Sequence, residues 1–207
     1  MRKIHNIPAM TPPVVLDYLY ELGKGWTGKG VAVELGSWLG ATAAALLEGL
    51  VEAGYDRPFY AFDKWRANGE QVGKAAMAGV KLEHGQNLLP LFMQNVQLVY
   101  NNVVPVQGRI PGSLLIYGSE RIEILLFDAP KREPIFTGAV DALRPYWLPG
   151  MVWGLMDYNF WKSRETQKDR RVYQAPVRWM GRHRGEFEVM SDWEESSSVF
   201  FKYKGGN

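Results

Sequence analysis

The sequence has 207 residues, of which 46% are hydrophobic and 22% are charged. This composition is typical of a folded globular protein, and the length favours one compact domain. The formal net charge of +2 excludes a whole-protein electrostatic attraction to nucleic acid or to a membrane surface. Because the chain has no cysteine, disulfides, a thiolate nucleophile and sulfur-ligated zinc sites are also excluded.

The sequence indicates neither an export signal nor a membrane span. No apolar stretch follows the basic start of the chain, and nowhere do 18 apolar residues run together. We therefore expect a cytoplasmic protein without a membrane partner, and the oligomeric state stays open.

The first thirty residues predict one helix and a turn. Thr11 is the expected N-cap of the helix, apolar residues follow at helical spacing, and Gly23 is the expected stop. The Gly-rich stretch at residues 23–30 nearly matches a phosphate-binding loop. It ends in Gly30, where such a loop needs Ser or Thr, and it precedes a strand instead of following one. We interpret it as a solvated turn.

Beyond residue 30, apolar strands alternate with helical segments, which favours a mostly parallel sheet covered by helices on both faces. Strands are expected at residues 31–35, 59–62, 103–106, 122–127 and 151–156, and two closing strands at 187–190 and 197–203. Helices are expected over an Ala-rich stretch ending near Gly54, weakly over 69–79, within 84–100 and over 136–146, and a turn at 148–150.

Acidic residues lie in or directly after four of these strands. Glu34 lies in the first, and Asp63, Asp128 and Asp157 close the second, fourth and fifth. Taken singly, each fits a turn former or a helix cap. Ligands of open α/β sheets bind beyond the carboxyl ends of the strands, so four carboxylates in register are expected to converge on one rim.

The loop after the first strand, residues 34–40, differs from a dinucleotide-binding fingerprint because Trp38 stands in the place of the second glycine. A ligand without phosphates would still fit against Gly36, and Gly40 would allow close backbone approach at the helix start. Asp63 would then be placed to accept two hydrogen bonds from the hydroxyls of a ribose.

The stretch V-E-L-G-S-W-L-G-A-T at residues 33–42 resembles motif I (E/D-x-G-x-x-x-G-x-S/T) of class I S-adenosylmethionine-dependent methyltransferases, particularly the small O-methyltransferases of catechol and sugar type. Residues 59–63 are similar to their second strand with its ribose-binding acid, and residues 108–110 to the loop that lines the adenine. The resemblance covers about residues 12–160. It implies S-adenosylmethionine as the cofactor, with these binding residues: Glu34, Gly36, Ser37, Gly40, Thr42, Asp63, Lys64, Gly108, Arg109, Ile110 and Asp128.

Residues 128–131, Asp-Ala-Pro-Lys, resemble the D-x-x-K of catechol-type O-methyltransferases, whose Asp binds magnesium and whose Lys is the general base. The resemblance implies catalytic roles for Asp128, Lys131 and Asp157, and a Mg²⁺ site made of Asp128, Asp157 and Asn159, although Tyr158 separates the last two. Two carboxylates and an amide oxygen suit Mg²⁺, which lowers the pKa of a bound hydroxyl. Lys131 would take that proton if its own pKa were depressed. The alternative is that Asp128 caps a helix and Lys131 is solvated.

Residues 160–184 hold eight basic side chains against Glu165 and Asp169, with aromatic residues interleaved. Three interpretations stay open for this basic segment: nucleic-acid contact, recognition of an anionic substrate by arginines, and a solvated helix and loop. The segment also lies where small methyltransferases place substrate-selecting residues.

The resemblance implies a single-domain α/β Rossmann-like methyltransferase, with a mostly parallel seven-stranded sheet and a C-terminal antiparallel hairpin. Residues 1–30 would form an N-terminal helix and turn, 31–160 the cofactor-binding core, and 161–207 a substrate-side segment with the closing strands. The expected activity is methyl transfer to a hydroxyl oxygen of a small molecule or sugar. Two alternatives are an RNA or other nucleic-acid methyltransferase using residues 160–184 and a nicotinamide-dependent oxidoreductase.

Overall fold

The computed structural model describes residues 7–116, 118–193 and 196–206, so part of the stretch between the two predicted closing strands and the start of the chain lie outside the described residues. The strands in the described part are β1 (Val31–Leu35), β2 (Phe59–Asp63), β3 (Val103–Gln107), β4 (Ile122–Phe127), β5 (Trp147–Leu155), β6 (Phe187–Trp193) and β7 (Ser198–Tyr203). They form one sheet in the order β3-β2-β1-β4-β5-β7-β6. Strand β7 is antiparallel to β5 and β6, and the other neighbouring pairs are parallel. The predicted sheet and its closing hairpin are thereby confirmed.

The helices cover both faces of this sheet. They are α1 (Pro13–Lys24), α2 (Ala41–Glu52), α3 (Gly69–Met77), α4 (Leu89–Val96), α5 (Ile135–Leu143), α6 (Gln167–Tyr173) and α7 (Ala175–Arg182). Alternate residues of a strand point to opposite faces, so Ala32 of β1 belongs to a core beneath α1, α2 and α4, and Val33 to a core beneath α5 and α7. Burial on both faces explains why β1 and β4 are continuous apolar runs.

Prolines mark the limits of two helices. Helix α4 lies within the predicted stretch 84–100, and Pro90 stands in its first turn, where proline is tolerated. Helix α5 ends at Leu143, and a short 3-10 turn containing Pro145 continues to Tyr146.

The prediction that Gly23 stops the first helix is wrong. Helix α1 continues to Lys24, and Gly23 faces α2, where a Cβ atom would collide with the backbone of Leu46 and Leu50. Across the same contact, a Cβ at Gly49 would collide with the carbonyl oxygen of Tyr20. The two glycines therefore allow α1 and α2 to pack backbone against backbone.

The prediction that a turn at residues 148–150 separates two elements is also wrong. These residues lie inside β5, which begins at Trp147. The pairing of β5 with β4 shifts register between Ile122 and Ile124, and Gly150 has a left-handed φ of 89°. Pro and Gly are tolerated there because the strand is irregular at this point.

The Gly-rich loop before β1 holds a carboxylate, which the interpretation as a solvated turn missed. The backbone N–H of Thr27 donates to one oxygen of Glu123 at 2.6 Å, and those of Lys29 and Gly30 donate to the other at 2.9 and 2.8 Å. Glu123 lies near the start of β4 and is 8% exposed. A Gly-rich backbone can direct several N–H groups at one anion, and here the anion is the protein's own side chain.

Among the described residues, every helix is too short or too polar to be a candidate membrane span.

Candidate active site

The carboxyl ends of β1, β2, β4 and β5 meet at one edge of the sheet. This was expected from the acidic residues that lie in or directly after these strands. Backbone hydrogen bonds tie these ends together: Gly36 N–H donates to Phe62 O at 2.8 Å and Asp128 N–H to Leu35 O at 2.7 Å. Met156 N–H donates to Phe127 O at 3.1 Å, so Asp157 follows at the adjacent strand end. The structure therefore brings the predicted residues of the β1, β2, β4 and β5 ends to one rim.

Two glycines shape the loop between β1 and α2. Gly36 has a φ of 91°, and a Cβ there would collide with the carbonyl oxygen of Asp128. Gly40 has a φ of 89°, and a Cβ there would press on Phe92 and Val96. Both positions require glycine, because a side chain would meet backbone or core atoms. The loop consequently packs its backbone directly against the end of β4 and directs the chain into α2.

Glu34 is fully buried in β1 with only part of its hydrogen-bonding capacity used. Thr42 Oγ1 donates to Glu34 Oε1 at 2.6 Å. The buried Ser37 hydroxyl lies near enough to Glu34 to lower its pKa, but neither Ser37 Oγ nor Glu34 Oε2 has a partner with hydrogen-bond geometry among the described residues. Burial raises the pKa of Glu34 to about 7. Buried polar atoms are nearly always paired, so these two open atoms indicate a place for a polar ligand.

Asp63, at the end of β2, organises two tryptophans that the sequence analysis did not select. Its Oδ2 accepts from the backbone N–H of Trp38 at 3.0 Å, and its Oδ1 accepts from that of Trp65 at 2.6 Å. Trp65 Nε1 in turn donates to Trp38 O at 3.1 Å. A carboxylate has about four acceptor positions, so the half-buried Asp63 keeps capacity for a ligand. Both tryptophans have positive φ, which the sequence alone does not indicate.

The loop after β3 lies beside Asp63, because β3 pairs with β2. Gly108 N–H donates to Asp63 O at 2.9 Å. Arg109 is exposed and Ile110 is half-buried. Lys64, the exposed residue after Asp63, completes the set that the resemblance assigns to the cofactor.

A small cavity of 20 Å³ lies above the β1 loop, between Ser37, Thr42 and Asp128. Met10 and Thr11 close it from the segment before α1. Thr11 is therefore part of the rim and not the predicted helix cap, since the N-cap of α1 is Pro12.

Lys131 lies between the two carboxylates at the ends of β4 and β5. Its Nζ donates to Asp128 Oδ1 at 2.8 Å and to Asp157 Oδ2 at 3.2 Å. Its side chain is 6% exposed, whereas that of Asp157 is 48% exposed. The three residues that the sequence selected as catalytic thus form one contiguous cluster, and Lys131 is not the solvated lysine of the alternative interpretation.

The charges of this cluster stabilise one another. Burial lowers the pKa of Lys131, but the carboxylates of Asp128 and Asp157 outweigh that effect and leave it raised. Burial raises the pKa of Asp128, and the adjacent Lys131 opposes that shift. A general base needs a depressed lysine pKa, so this geometry does not support the proton-accepting role expected of Lys131.

The side chains expected to bind magnesium do not fit a site made of all three. Lys131 Nζ occupies the space between Asp128 and Asp157. Asn159 is turned elsewhere, because its Nδ2 donates to Asp192 Oδ1 at 3.1 Å and its N–H to Ser197 O at 2.9 Å. Within the described ranges, no group of three His, Cys, Asp or Glu side chains could hold a metal ion. The residues present therefore do not fit the Mg²⁺ site that the resemblance implies.

The basic segment at 160–184 uses its aromatic residues for packing. Trp179 is buried against Trp147 and Trp153, and Tyr173 packs edge-on against Phe160. Stacking surfaces for nucleic-acid bases need exposed aromatic rings, so this arrangement does not favour the nucleic-acid interpretation. The segment begins with a 3-10 turn (Phe160–Ser163), which starts three residues after Asp157 in the chain.

Solved structures that match this fold include methyltransferases. The O-methyltransferase NovP matches with a TM-score of 0.64 at 15% identity, over 92% of this chain and 80% of that chain. CalS11, a TDP-rhamnose 3'-O-methyltransferase of calicheamicin biosynthesis, matches with a TM-score of 0.58 at 16% identity, over 93% and 78%. The SAH-bound Podospora anserina methyltransferase PaMTH1 matches with a TM-score of 0.62 at 12% identity, over 95% and 80%.

The chain has a methyltransferase fold. No protein-family model matches the sequence, and a search of curated proteins finds no match. In this methyltransferase fold, the rim of strand ends described above lies where open α/β sheets bind their ligands.

Proposed function

We propose that this protein is an S-adenosylmethionine-dependent methyltransferase that transfers a methyl group to a hydroxyl oxygen of a small molecule or sugar. The observation that carries this proposal is the pair of open polar atoms at the rim, Glu34 Oε2 and Ser37 Oγ. They lie at the loop where Gly36 keeps the backbone free of a side chain. Buried acceptors and donors without partners fit the charged amino-acid end of the cofactor.

The remaining cofactor residues follow the edge of the sheet away from Glu34. Asp63 accepts hydrogen bonds from the ribose hydroxyls with the capacity that Trp38 and Trp65 leave open. Residues 108–110 line the adenine, and Gly40 and Thr42 hold the β1 loop and its carboxylate in place. The cavity of 20 Å³ accommodates about one water molecule, so Met10 and Thr11 move outward when the cofactor binds.

The cluster of Asp128, Lys131 and Asp157 is the place for the acceptor hydroxyl. When bound, S-adenosylmethionine supplies a methyl group on a positively charged sulfur. The carbon–sulfur bond breaks as the new oxygen–carbon bond forms, and Asp157, the more exposed carboxylate, takes the hydroxyl proton. Asp128 holds Lys131 in position, and alignment of donor and acceptor supplies much of the rate.

We assign residues 31–160 to the cofactor and the segment from 161 onward to the acceptor. Two of the matching structures, NovP and CalS11, are O-methyltransferases, and CalS11 is a TDP-rhamnose 3'-O-methyltransferase, which supports a small-molecule or sugar acceptor. The nicotinamide alternative is disfavoured because Trp38 is buried at the position that a pyrophosphate-binding loop keeps free of a side chain.

Calorimetric titration with S-adenosylhomocysteine tests this function. The wild-type protein is expected to bind in the micromolar range, and Asp63→Ala to bind about a hundredfold more weakly, because two hydrogen bonds to a charged acceptor are lost. Asp63→Asn, which keeps one acceptor oxygen for the tryptophan backbone, is expected to lose less. Asp56→Ala is the matched control, because Asp56 is exposed and precedes β2 at the opposite end of the strand.

The absence of S-adenosylhomocysteine binding by the wild-type protein would overturn the proposed function. Unchanged affinity in Asp63→Ala would overturn the ribose assignment alone. Titrations with NADH and with an oligonucleotide at low salt complete the experiment, and saturable binding of either one in place of S-adenosylhomocysteine would support the corresponding alternative.

A further inference from the structure

Lys131 already provides a positive charge at the place where the resemblance predicts a metal ion. Its Nζ lies 2.8 Å from Asp128 and 3.2 Å from Asp157, the two carboxylates at the ends of neighbouring parallel strands. The lysine side chain is almost entirely buried, so this ion pair is part of the packed structure and not a transient surface contact.

The position that should supply a third ligand is used for other contacts. Tyr158 follows Asp157 directly, and its ring packs edge-on against Phe201 of β7 at 5.3 Å. The amide of Asn159 is hydrogen-bonded to Asp192 of β6. Both side chains thereby tie the end of β5 to the closing hairpin, which leaves Asp128 and Asp157 facing Lys131.

A divalent ion and the lysine ammonium exclude one another from this gap. The ammonium already holds one oxygen of each carboxylate, and a +2 ion bound by the same pair would lie beside the +1 charge and be repelled by it. Lys131 therefore satisfies the two carboxylates as a metal ion would, with a charge of +1 in place of +2.

We propose that the Lys131 ammonium is the built-in cation of this site, so that methyl transfer needs no divalent metal and removal of the amine turns the carboxylate pair into a divalent-cation site. An ammonium has three N–H donors, and the two carboxylates use two of them. The third donates to the acceptor oxygen and stabilises its negative charge while Asp157 takes the proton. This catalytic half rests on the proposed function, whereas the metal-binding half depends only on the carboxylate pair.

Titration with Mn²⁺, followed by the electron paramagnetic resonance signal of the free ion, tests the metal-binding half without any substrate. The wild-type protein is expected to show no saturable binding at this pair. Lys131→Met is expected to gain one site, with Mn²⁺ bound about tenfold or more tightly than by wild type. The double variant Lys131→Met/Asp157→Asn loses that site again.

Two matched variants test whether Mn²⁺ binding requires loss of the positive charge between the two carboxylates, and not merely a change at Lys131 or the loss of any lysine at the rim. Lys131→Arg keeps a cation between the carboxylates and is expected to bind no Mn²⁺. Lys64→Met removes an exposed lysine from the same rim and leaves the carboxylates paired, so it is also expected to gain no site.

Saturable Mn²⁺ binding by the wild-type protein that Asp157→Asn abolishes would overturn the proposal, even if Lys131→Met fails to fold. Failure of a folded Lys131→Met to gain a site would overturn it as well. S-adenosylhomocysteine affinity is expected to be equal in Mg²⁺ and in EDTA. If that ligand does not bind in either condition while the Mn²⁺ results hold, the proposed function fails and the cation site stands.

Discussion

Glu34 and Glu123 are buried glutamates on the adjacent strands β1 and β4, and they differ in how their charges are satisfied. Glu123, near the start of β4, accepts three backbone N–H hydrogen bonds from the Gly-rich loop. Glu34, one residue before the end of β1, accepts one hydrogen bond from Thr42 and has an oxygen without a partner among the described residues.

This difference separates a structural carboxylate from one available to a ligand. Burying a charge is costly unless hydrogen bonds replace its water. The loop around Glu123 offsets that cost within the fold, so no ligand is needed. The cost of burying Glu34 stays partly uncompensated in the free protein, and a polar ligand that reaches the open oxygen would offset it.

The largest effect is expected for Glu123→Ala, which removes the acceptor of three N–H groups. We expect the free energy of unfolding to fall by about 3 to 4 kcal/mol, because a hydrogen-bonded buried charge is lost. Urea denaturation at neutral pH measures this change. The folded fraction should bind S-adenosylhomocysteine with unchanged affinity, since Glu123 lies at the opposite end of the sheet. A loss no larger than that of a surface substitution would contradict the structural role.

Glu34→Gln should increase the free energy of unfolding at alkaline pH, whereas Glu123→Ala lowers it. The pKa of Glu34 is raised from 4.5 to about 7 in the folded protein, so its contribution to stability is complete below the unfolded pKa and is lost as pH rises through 7. Wild-type stability should therefore fall by roughly 3 kcal/mol between about pH 5 and pH 8 from this group, and the variant should lack that fall. Urea midpoints across this range measure it, and parallel curves for the two proteins would refute the assignment.

Thr42→Val should sharpen the comparison by removing the hydroxyl that donates to Glu34 Oε1. Valine has nearly the same shape, so we expect a loss of about 1 kcal/mol at pH 8, where the carboxylate is charged, and a smaller loss at about pH 5. The hydroxyl lowers the pKa of Glu34, so its removal should move the pH-dependent fall in stability to higher pH. Equal losses at both pH values would show that the hydroxyl acts only through packing.

The smallest effect is expected for Glu21→Gln, the surface reference for both buried glutamates. Its pair with Lys24 is exposed on both sides, so the change in the free energy of unfolding should stay below about 0.5 kcal/mol at low salt and decline further as salt rises. The same urea series measures it. A loss comparable to that of Glu123→Ala would remove the distinction between buried and exposed carboxylates.

The sequence predicted the strands and the rim residues well because these depend on local patterns. Apolar runs that contain Glu34 or are followed by Asp63, Asp128 and Asp157 indicate parallel strands and a shared edge without knowledge of any distant contact. The ends of helices and the interior of β5 were predicted less well, because Gly23 and Gly150 have roles set by α2 and by strand register.

The partners of the charged side chains depend on residues far away in the chain. Glu123 is 96 residues from Thr27, and Lys131 is 26 residues from Asp157. Neither contact leaves a periodic signal in the sequence, so a solvated turn and a magnesium site were the natural predictions from local motifs.

The sequence by itself therefore determined the order of the strands and helices and which carboxylates stand at the strand ends, because apolar spacing and turn residues act over a few positions. Only the tertiary structure decided that Glu123 is enclosed by backbone N–H groups, that Glu34 keeps an open oxygen and that Lys131 lies between two carboxylates. The physical reason is that satisfying a buried charge requires donors at hydrogen-bond distance, and folding brings those donors from distant parts of the chain.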